Sequence, residues 1–461
     1  MIRNVQRISK FFVDIYNNHF WVYGAVFVVF LSTLIAVRNI SAFTLANFYA
    51  EDATVLYENI FSKDFFHTTL SAFNGYLIVG QYLLAYIAAG LNLLFGNNIV
   101  TLPIATAIVS CVFLGLAASL PFLLFREQLG VRFAIIVSIL TALVPLKSYD
   151  YAIIGTISNL KFIFLYIAAL LIIYRLVTKS ITIKKAIIID AFLLLCALTN
   201  ATVAFLIPMV LLPYVPGWLR AIRSHQWRSV EFDFRQLSAV MLTILVTVYT
   251  LIAVMKGIPK IPGYLDGPFL WQSTLPLIDR SLFFALLYPI TASFNNYFVG
   301  TLFFATIIGI IWLFLKKKND RYIIAVSLWA IFLGTVLFVI NRPGIGVYYL
   351  AYTHKGGPDQ FFMAQNMVFI FMIAWLLREK VKSFNTRQFA GLLIGLVLYL
   401  LLALSHGSTF GASKVVYQQM GPIGPNVEKA CDQYRDKKDV IIQIYPTPYW
   451  QWQVERSYAC H

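Results

Sequence analysis

The sequence is poor in charge, since only 12% of its 461 residues are Asp, Glu, Lys or Arg. A soluble chain carries about twice that share. Hydrophobic residues make up 60%, and the mean hydropathy is +0.76. This balance excludes a water-soluble enzyme, a disordered scaffold and a coiled coil. It predicts a polytopic membrane protein, whose length is best divided by the roughly 20 apolar residues that one crossing needs.

Familiar catalytic motifs are also missing. The sequence has no Walker A loop, no G-x-G-x-x-G, no H-E-x-x-H and no G-x-S-x-G, and its six histidines show no metal-ligand spacing. Nucleotide hydrolysis and a zinc site are therefore disfavoured. Ionisable residues are rare inside the apolar runs, which weakens a transporter because transporters place such groups near the membrane midplane.

Cysteine is scarce, with four residues in the whole chain. Cys111 and Cys196 lie in apolar runs, whereas Cys431 and Cys460 share one polar C-terminal segment. Four cysteines are too few for a disulfide framework. The second pair is a candidate disulfide if its segment lies in an oxidising compartment.

Positive charge indicates the orientation of the chain. The net charge is +16, from 36 basic and 20 acidic residues. Basic residues precede an apolar run from about 21 to 37, which indicates an uncleaved first helix with its amino end in the cytoplasm. If the runs 76–95 and 281–293 lie in the outer membrane–water interface and do not cross the membrane, more than half of the basic residues lie on the cytoplasmic side. The charge is then mainly an orientation signal and requires no nucleic acid as partner.

One polar turn interrupts the apolar runs. The runs 186–198 and 201–214 meet at Thr199-Asn200, and each is shorter than a full crossing. A polar turn at that depth must be buried in protein or line a wet cavity. The sequence therefore predicts two short helices that meet inside the protein, the one feature that supports a transporter.

These runs predict an all-α fold of about eleven transmembrane helices with interfacial helices on the outer side. Residues 1–405 form the transmembrane domain. Residues 406–461 form a tail on the outer side, which in a bacterium is the periplasm. The other polar segments of that side are 39–75, 147–160, 256–297 and 341–360.

Two adjacent carboxylates, Glu51 and Asp52, stand in the first outer segment, and Glu58, Asn74 and Tyr76 follow them. A carboxylate at the outer membrane face can act as a general base near a lipid headgroup. Alternatively, Asp52 caps a helix that begins at the next residue, and Glu51 is solvated. The residue pattern leaves both interpretations open.

Two further outer segments carry groups that suit a phosphate or a sugar. Lysine offers a phosphate a point charge, and carboxylate or amide groups bond hydroxyls. A glycine-bordered turn at a helix start favours an anion. Two other interpretations need no ligand: the lysines extend from helix ends to the membrane surface, and the glycines and proline simply form a turn before a helix. The candidates are Lys147, Asp150, Asn159 and Lys161 in one segment, and Arg342, His354, Lys355, Asp359 and Gln360 in the other.

Three short motifs together resemble the GT-C class of membrane glycosyltransferases. They are Ala50-Glu51-Asp52-Ala53 in the first outer loop, Asn74-Gly75-Tyr76 at the start of an interfacial run, and Gly357-Pro358-Asp359-Gln360-Phe361-Phe362. Within that class the chain looks most like bacterial O-antigen-modifying glucosyltransferases of the Gtr, phage serotype-conversion type. The resemblance covers the layout of most of the chain.

The resemblance implies transfer of a sugar, in this family glucose, from a polyprenyl-phosphate donor to a lipid-linked or polysaccharide acceptor such as O-antigen. The reaction inverts the anomeric centre and takes place at the periplasmic face of the bacterial inner membrane. Asp52 or Glu51 would deprotonate the acceptor hydroxyl. Cations near the donor phosphate would stabilise the leaving group, and the candidates are Lys147, Lys161, Arg342, His354 and Lys355.

The resemblance also implies the partners of the protein. It implies membrane lipid, a lipid-linked donor and a glycan acceptor, with no nucleic acid. No cofactor is expected, and a requirement for a divalent metal stays open. The competing hypotheses are a flippase or other transporter of lipid-linked oligosaccharides, and an O-antigen polymerase.

Overall fold

The computed structural model describes residues 20–73, 76–146, 152–178, 181–224, 234–255, 277–284, 296–317, 320–341, 361–405, 421–444 and 450–460. These residues are mostly helical. The α-helices in chain order are α1 (Phe20–Arg38), α2 (Ser41–Thr44), α3 (Glu58–Ser62), α4 (Phe65–Thr69), α5 (Val79–Leu93), α6 (Leu102–Leu129), α7 (Val131–Ala142), α8 (Ile163–Val177), α9 (Ile183–Ala197), α10 (Ala201–Leu206), α11 (Val215–Arg223), α12 (Phe234–Met255), α13 (Asn296–Lys316), α14 (Arg321–Asn341), α15 (Met363–Lys382), α16 (Thr386–Ser405), α17 (Ile423–Gln433) and α18 (Arg456–Ala459).

Four short helical segments of other types join these helices. Two are π-helical, Asp52–Tyr57 and Asp279–Phe283, and two are 3₁₀ turns, Ser158–Phe162 and Ile207–Leu211. The first π-helical segment runs directly into α3, and the first 3₁₀ turn runs directly into α8. Both junctions belong to the candidate site described below.

Four helical stretches are long and apolar enough to cross a membrane: α1, α6, Ser158–Val177 and Phe234–Ile252. A bent pair, Ala201–Leu211 with Val215–Arg223, makes a fifth if it is counted as one span. The structure therefore supports a helical membrane protein, and it shows four or five of the eleven predicted crossings within the described ranges. At about 1.5 Å per residue, the 15-residue α5 is about 22 Å long, short of the roughly 30 Å hydrocarbon core. That length agrees with an interfacial helix.

Large apolar side chains remain exposed along several long helices. Trp21 on α1 is 81% exposed, Ile308 on α13 is 66% exposed and Leu398 on α16 is 60% exposed. A soluble monomer rarely shows such continuous apolar surface. These faces suit contact with lipid.

The core forms around α6 and α8. Helix α6 packs against α1, α5, α7 and α8, and α8 packs in turn against α9, α14 and α15. The contact of α6 with α1 depends on Gly115, because a Cβ there would lie 2.7 Å from the backbone nitrogen of Ser32.

Replacing Gly115 by Ala should lower the free energy of unfolding by about 1–3 kcal/mol, because the new methyl group meets backbone that cannot move aside cheaply. Gly90 on α5 is the matched control, since a Cβ there has no neighbour within 4 Å. Gly90→Ala should stabilise its helix slightly. Thermal unfolding of both variants in one detergent checks this, and equal melting temperatures would contradict the close packing.

Two ion pairs clamp helix ends. Arg175 on α8 pairs with Asp190 on α9, and its other nitrogen donates to Ser238 Oγ on α12 at 2.7 Å. Arg378 on α15 pairs with Asp320, just before α14, at 2.9 Å. These carboxylates serve packing between helices, in keeping with the scarcity of free charge in the apolar runs.

The polar turn between α9 and α10 is buried in protein, as predicted. Thr199 and Asn200 are 0% and 5% exposed. The Thr199 hydroxyl accepts from the backbone nitrogen of Gly80 at 2.8 Å. The Asn200 amide donates to the carbonyl of Lys161 at 2.8 Å, and its oxygen accepts from the backbone nitrogen of Thr202 at 3.0 Å. The turn therefore joins α5, the 3₁₀ turn before α8, and α10 through polar contacts.

The predicted all-α class is supported, and two short antiparallel hairpins accompany the helices. Strands β1 (Ala72–Phe73) and β2 (Tyr76–Leu77) form the first. Strands β3 (Asp439–Ile444) and β4 (Trp450–Glu455) form the second, in which Ile442 pairs with Trp452. Buried and more exposed residues alternate along β3 and β4, as in a sheet with one covered face.

The predicted tail contains a folded C-terminal unit, residues 421–444 and 450–460, built from α17, β3, β4 and α18. It joins the chain that follows α2 through backbone: the Ile423 nitrogen donates to the Ala46 carbonyl at 3.0 Å. The Asn47 amide donates to the Gly421 carbonyl at 3.0 Å. The alternating Trp-Gln-Trp-Gln-Val-Glu sequence of β4 is the pattern that could have predicted this strand.

Candidate functional site

The acid pair lies in a segment of unusual backbone. Ala50, directly before Glu51, has φ of +39°, which non-glycine residues rarely adopt. The π-helical segment Asp52–Tyr57 follows at once. Strained residues and π-helical turns cluster at functional sites in proteins. We call residues 48–62 the acidic segment.

Asp52 is 1% exposed and binds backbone more than 100 residues away. Its Oδ1 accepts from the Ser158 nitrogen at 2.7 Å and from the Ile157 nitrogen at 3.2 Å, and its Oδ2 accepts from the Ile157 nitrogen at 3.3 Å. Since Ile157 and Ser158 begin the 3₁₀ turn that leads into α8, the carboxylate caps that helical start from a distant segment. Asp52 therefore ties the acidic segment to α8.

The alternative that Asp52 caps its own helix is wrong. The N-cap position of the π-helical segment is Glu51, and no side chain caps it. Asp52 is instead the first residue inside that segment, so its side chain is free to reach across to Ser158. Asp52 does cap a helical start, but that start is the 3₁₀ turn before α8 and not its own helix.

Burial raises the pKa of Asp52 from its ordinary value of 3.8 to about 7. Hydrogen bonds from Ser158 and Ile157 lower the pKa, and the neighbouring charge of Glu51 raises it further. Removal from water outweighs the donors because the carboxylate lies entirely inside the protein.

Glu51 differs from Asp52 in access and in bonding. It is partly buried, and its carboxylate makes no hydrogen bond or ion pair with any residue that the structure describes. Two adjacent acids thus have separate environments, one bonded and enclosed, the other unbonded and partly open.

Amide side chains hold the loop that receives Asp52. Gln81 on α5 is 2% exposed and donates to the Ser158 carbonyl at 2.6 Å. Asn159, a predicted sugar contact, is 7% exposed and donates to the Ala152 carbonyl at 2.7 Å, within its own loop. Gln81 is not predictable from the sequence, since a lone glutamine in an apolar run carries no recognisable motif.

Three other predicted site residues are described and lie near this region. Lys161 is partly buried on the 3₁₀ turn, with its ammonium 5.4 Å from the ring centre of Phe162. Glu58 is partly buried on α3; burial raises its pKa, and Lys63 lowers it. Tyr76 is partly buried on β2.

The structure therefore brings Glu51, Asp52, Asn159 and Lys161 into one region, because Asp52 binds the turn that carries the last two. The remaining predicted contacts lie outside the described residues. They are Asn74, Lys147, Asp150, Arg342, His354, Lys355, Asp359 and Gln360.

The C-terminal unit packs against the acidic segment through aromatic rings. Trp452 is fully buried, with its ring centre 5.2 Å from that of Phe48 in an edge contact. Phe48 in turn lies 5.4 Å from Tyr57, at the end of the π-helical segment. This packing braces the helix that carries Asp52. No local sequence pattern indicates this contact, because Phe48 and Trp452 lie about 400 residues apart in the chain.

The predicted disulfide is confirmed: Cys431 on α17 bonds Cys460 just after α18, with Cα atoms 5.8 Å apart. It closes the ends of the C-terminal unit over a sequence separation of 29 residues. Such bonds persist in oxidising compartments.

Replacing both cysteines by serine should destabilise the C-terminal unit by about 3–4 kcal/mol, since a closed loop of this length restricts the unfolded chain. Melting of the unit, followed by tryptophan fluorescence, measures the loss. Dithiothreitol should reproduce it in the wild type and have no further effect on the variant, because Cys111 and Cys196 are free and buried. Equal melting of both proteins would contradict a stabilising disulfide.

Among the described ranges, no three His, Cys, Asp or Glu side chains lie together as metal ligands would. No protein-family model matches the chain, and no curated protein matches its sequence. The geometry of the acidic segment is therefore the main ground for a functional assignment.

Proposed function

We propose that this protein is an inverting membrane glycosyltransferase. It would move a sugar, with glucose as the first candidate, from a polyprenyl-phosphate donor to a hydroxyl of a periplasmic glycan such as O-antigen. The observation that carries the proposal is the acid pair, in which one carboxylate is anchored and its neighbour stays unbonded and partly open. This is how a protein would present a base to a substrate at a membrane surface.

Glu51 is the general base in this proposal. A base must reach the proton that it removes, and this geometric requirement comes before its pKa. The Asp52 oxygens accept backbone hydrogen bonds inside the protein, so Asp52 is the positioning residue that holds Glu51 in place. The acceptor hydroxyl would lose its proton to Glu51 as its oxygen attacks the anomeric carbon and polyprenyl phosphate leaves.

Polyprenyl phosphate takes the electron pair of the broken bond and spreads the new charge over its phosphate oxygens, so it leaves more easily than a free alkoxide, and a nearby cation stabilises that charge. Lys161 is the described candidate, on the same turn that Asp52 binds. No cofactor is part of the proposal, and a divalent metal at the phosphate stays open.

The proposed location is the bacterial inner membrane, with the N-terminus in the cytoplasm and the C-terminus in the periplasm. The disulfide of the C-terminal unit supports an oxidising compartment on that side. Because that unit packs on the acidic segment, both would face the periplasm together.

The second candidate is a transporter of lipid-linked oligosaccharides, favoured by the buried polar turn at Thr199-Asn200. Membranes that hold the protein, given labelled polyprenyl-phosphate glucose and an O-antigen acceptor, separate the two functions. The glycosyltransferase predicts label covalently bound to the glycan. Label that crosses the membrane without joining the glycan would favour the transporter and contradict the proposal.

A further inference from the structure

A small, mostly apolar cavity with a few polar side chains lies among α8, α10, α14 and α15. Its volume is about 10 Å³, which is space for one group the size of a water molecule or a hydroxyl. Aromatic rings, a leucine, small residues and neutral polar side chains line it, and no charged side chain does among the residues that the structure describes. The lining residues that matter here are Phe162, Asn200, Thr202, Gly334, Phe361 and Gln365.

Gln365 is the unusual member of this lining. It is 1% exposed, and neither its Oε1 nor its Nε2 has a hydrogen-bond partner within the described part of the chain. The next residue, Asn366, is equally buried, but its amide donates to the carbonyls of Arg280 and Phe362, each at 2.9 Å. A buried amide without a partner costs about 1–3 kcal/mol. The fold thus keeps one donor and one acceptor unused beside the cavity.

Two neighbouring residues explain why the Gln365 amide lies beside the cavity without a partner among the described residues. A Cβ on Gly334 would lie 2.6 Å from the Cδ and Nε2 atoms of Gln365, so only glycine allows the amide to lie where it does. The amide of Asn200, across the cavity, already bonds Lys161 and Thr202. Gln365 is therefore the group with hydrogen-bonding capacity to offer an occupant.

The cavity is connected to the acid pair by one short element. The 3₁₀ turn begins at Ser158, where Asp52 binds, and ends at Phe162, which lines the cavity. At about 2 Å of rise per residue, the two ends lie about 8 Å apart along the turn. The ring centres of Phe162 and Phe361 are 4.7 Å apart and form one side of the cavity.

We propose that Gln365 recognises one hydroxyl of the sugar carried by the donor, an inference that depends on the proposed glycosyltransferase function. A neutral amide both donates to and accepts from a hydroxyl. Aromatic rings suit the apolar face of a sugar. The absence of charged lining residues disfavours the donor phosphate as occupant, and the size admits a single hydroxyl, with the rest of the sugar outside.

The test compares transfer from polyprenyl-phosphate glucose with transfer from its 2-, 3-, 4- and 6-deoxy analogues, in membranes holding wild type or Gln365→Met. Wild type should discriminate against one analogue by about 10- to 100-fold in kcat/KM, because that analogue leaves the amide unpaired. Gln365→Met should remove this discrimination. Met367→Leu is the control, since Met367 is equally buried on α15 and does not line the cavity.

A second variant, Gly334→Ala, displaces the amide from its position and should lower transfer of glucose with Gln365 still present. The inference would be overturned if Gln365→Met slowed transfer from all donors equally, or if it kept the wild-type preference among the deoxy analogues. Gln365 would then be a residue that binds water. Wild-type protein that transfers no sugar from any donor would refute the proposed function, and the hydroxyl site with it.

Discussion

Replacing Glu51 by Gln is expected to lower sugar transfer by about 10²- to 10⁴-fold, the range that general-base catalysis usually contributes. Glutamine has nearly the same shape and cannot take the proton of the acceptor hydroxyl. The Glu51 side chain makes no hydrogen bond with described residues, so the exchange should leave the melting temperature nearly unchanged. Initial rates at saturating donor, normalised to protein level, measure the effect.

Glu428→Gln is the matched control, because Glu428 is an exposed acid on α17 in the C-terminal unit. It should leave transfer unaffected. Asp52→Asn should lower transfer less than Glu51→Gln does, since the asparagine oxygen can accept the same bonds from Ser158 and Ile157. An inactive Asp52→Asn protein beside an active Glu51→Gln protein would assign the base to Asp52 instead.

The second large effect concerns stability and pH. The pKa of Asp52 is raised from 3.8 to about 7 in the folded protein. Folding therefore favours the protonated carboxyl, and its contribution to stability is fully present below pH 3.8 and is lost as the pH rises through about 7. The difference corresponds to about 4 kcal/mol. Asp52→Asn, which resembles the protonated acid, should be more stable than the wild type above pH 7 and should lose this pH dependence.

Melting curves of both proteins between pH 4 and pH 8 measure this difference. Asp64 is a control whose pKa shift has the opposite sign. Hydrogen bonds from the backbone and side chain of His67 lower the pKa of this exposed N-cap residue. Asp64→Asn should reduce stability at neutral pH and have little effect in acid. If Asp52→Asn were less stable than the wild type at pH 8, the ionised carboxylate would be stabilising, and the raised pKa would be refuted.

Local chemistry explains which parts of the site were predictable. Glu51 and Asp52 stand out because acids are rare in an apolar chain, and Cys431 and Cys460 because they share a polar segment. The break at Thr199-Asn200 follows from runs too short to cross. Each of these signals lies within a few residues of sequence, where composition and hydropathy carry information.

Other parts depend on contacts between distant residues, which no local pattern encodes. Asp52 binds Ser158, 106 residues away, and this choice separates an anchored acid from an open one. Trp452 supports the acidic segment from near the end of the chain. The unused amide of Gln365 has significance only because Gly334 and Asn200 surround it in the fold.

Composition and the length of the apolar runs predict a helical membrane protein, because a backbone in lipid must satisfy its hydrogen bonds internally and a run of about 20 apolar residues suits a helix. Charge distribution predicts the side on which its polar loops lie. Tertiary structure alone decides which of two adjacent carboxylates is buried and how far its pKa rises, since desolvation and donor contacts depend on every segment packed around it. The acid pair is visible in the sequence, and the difference between its two members arises only in the fold.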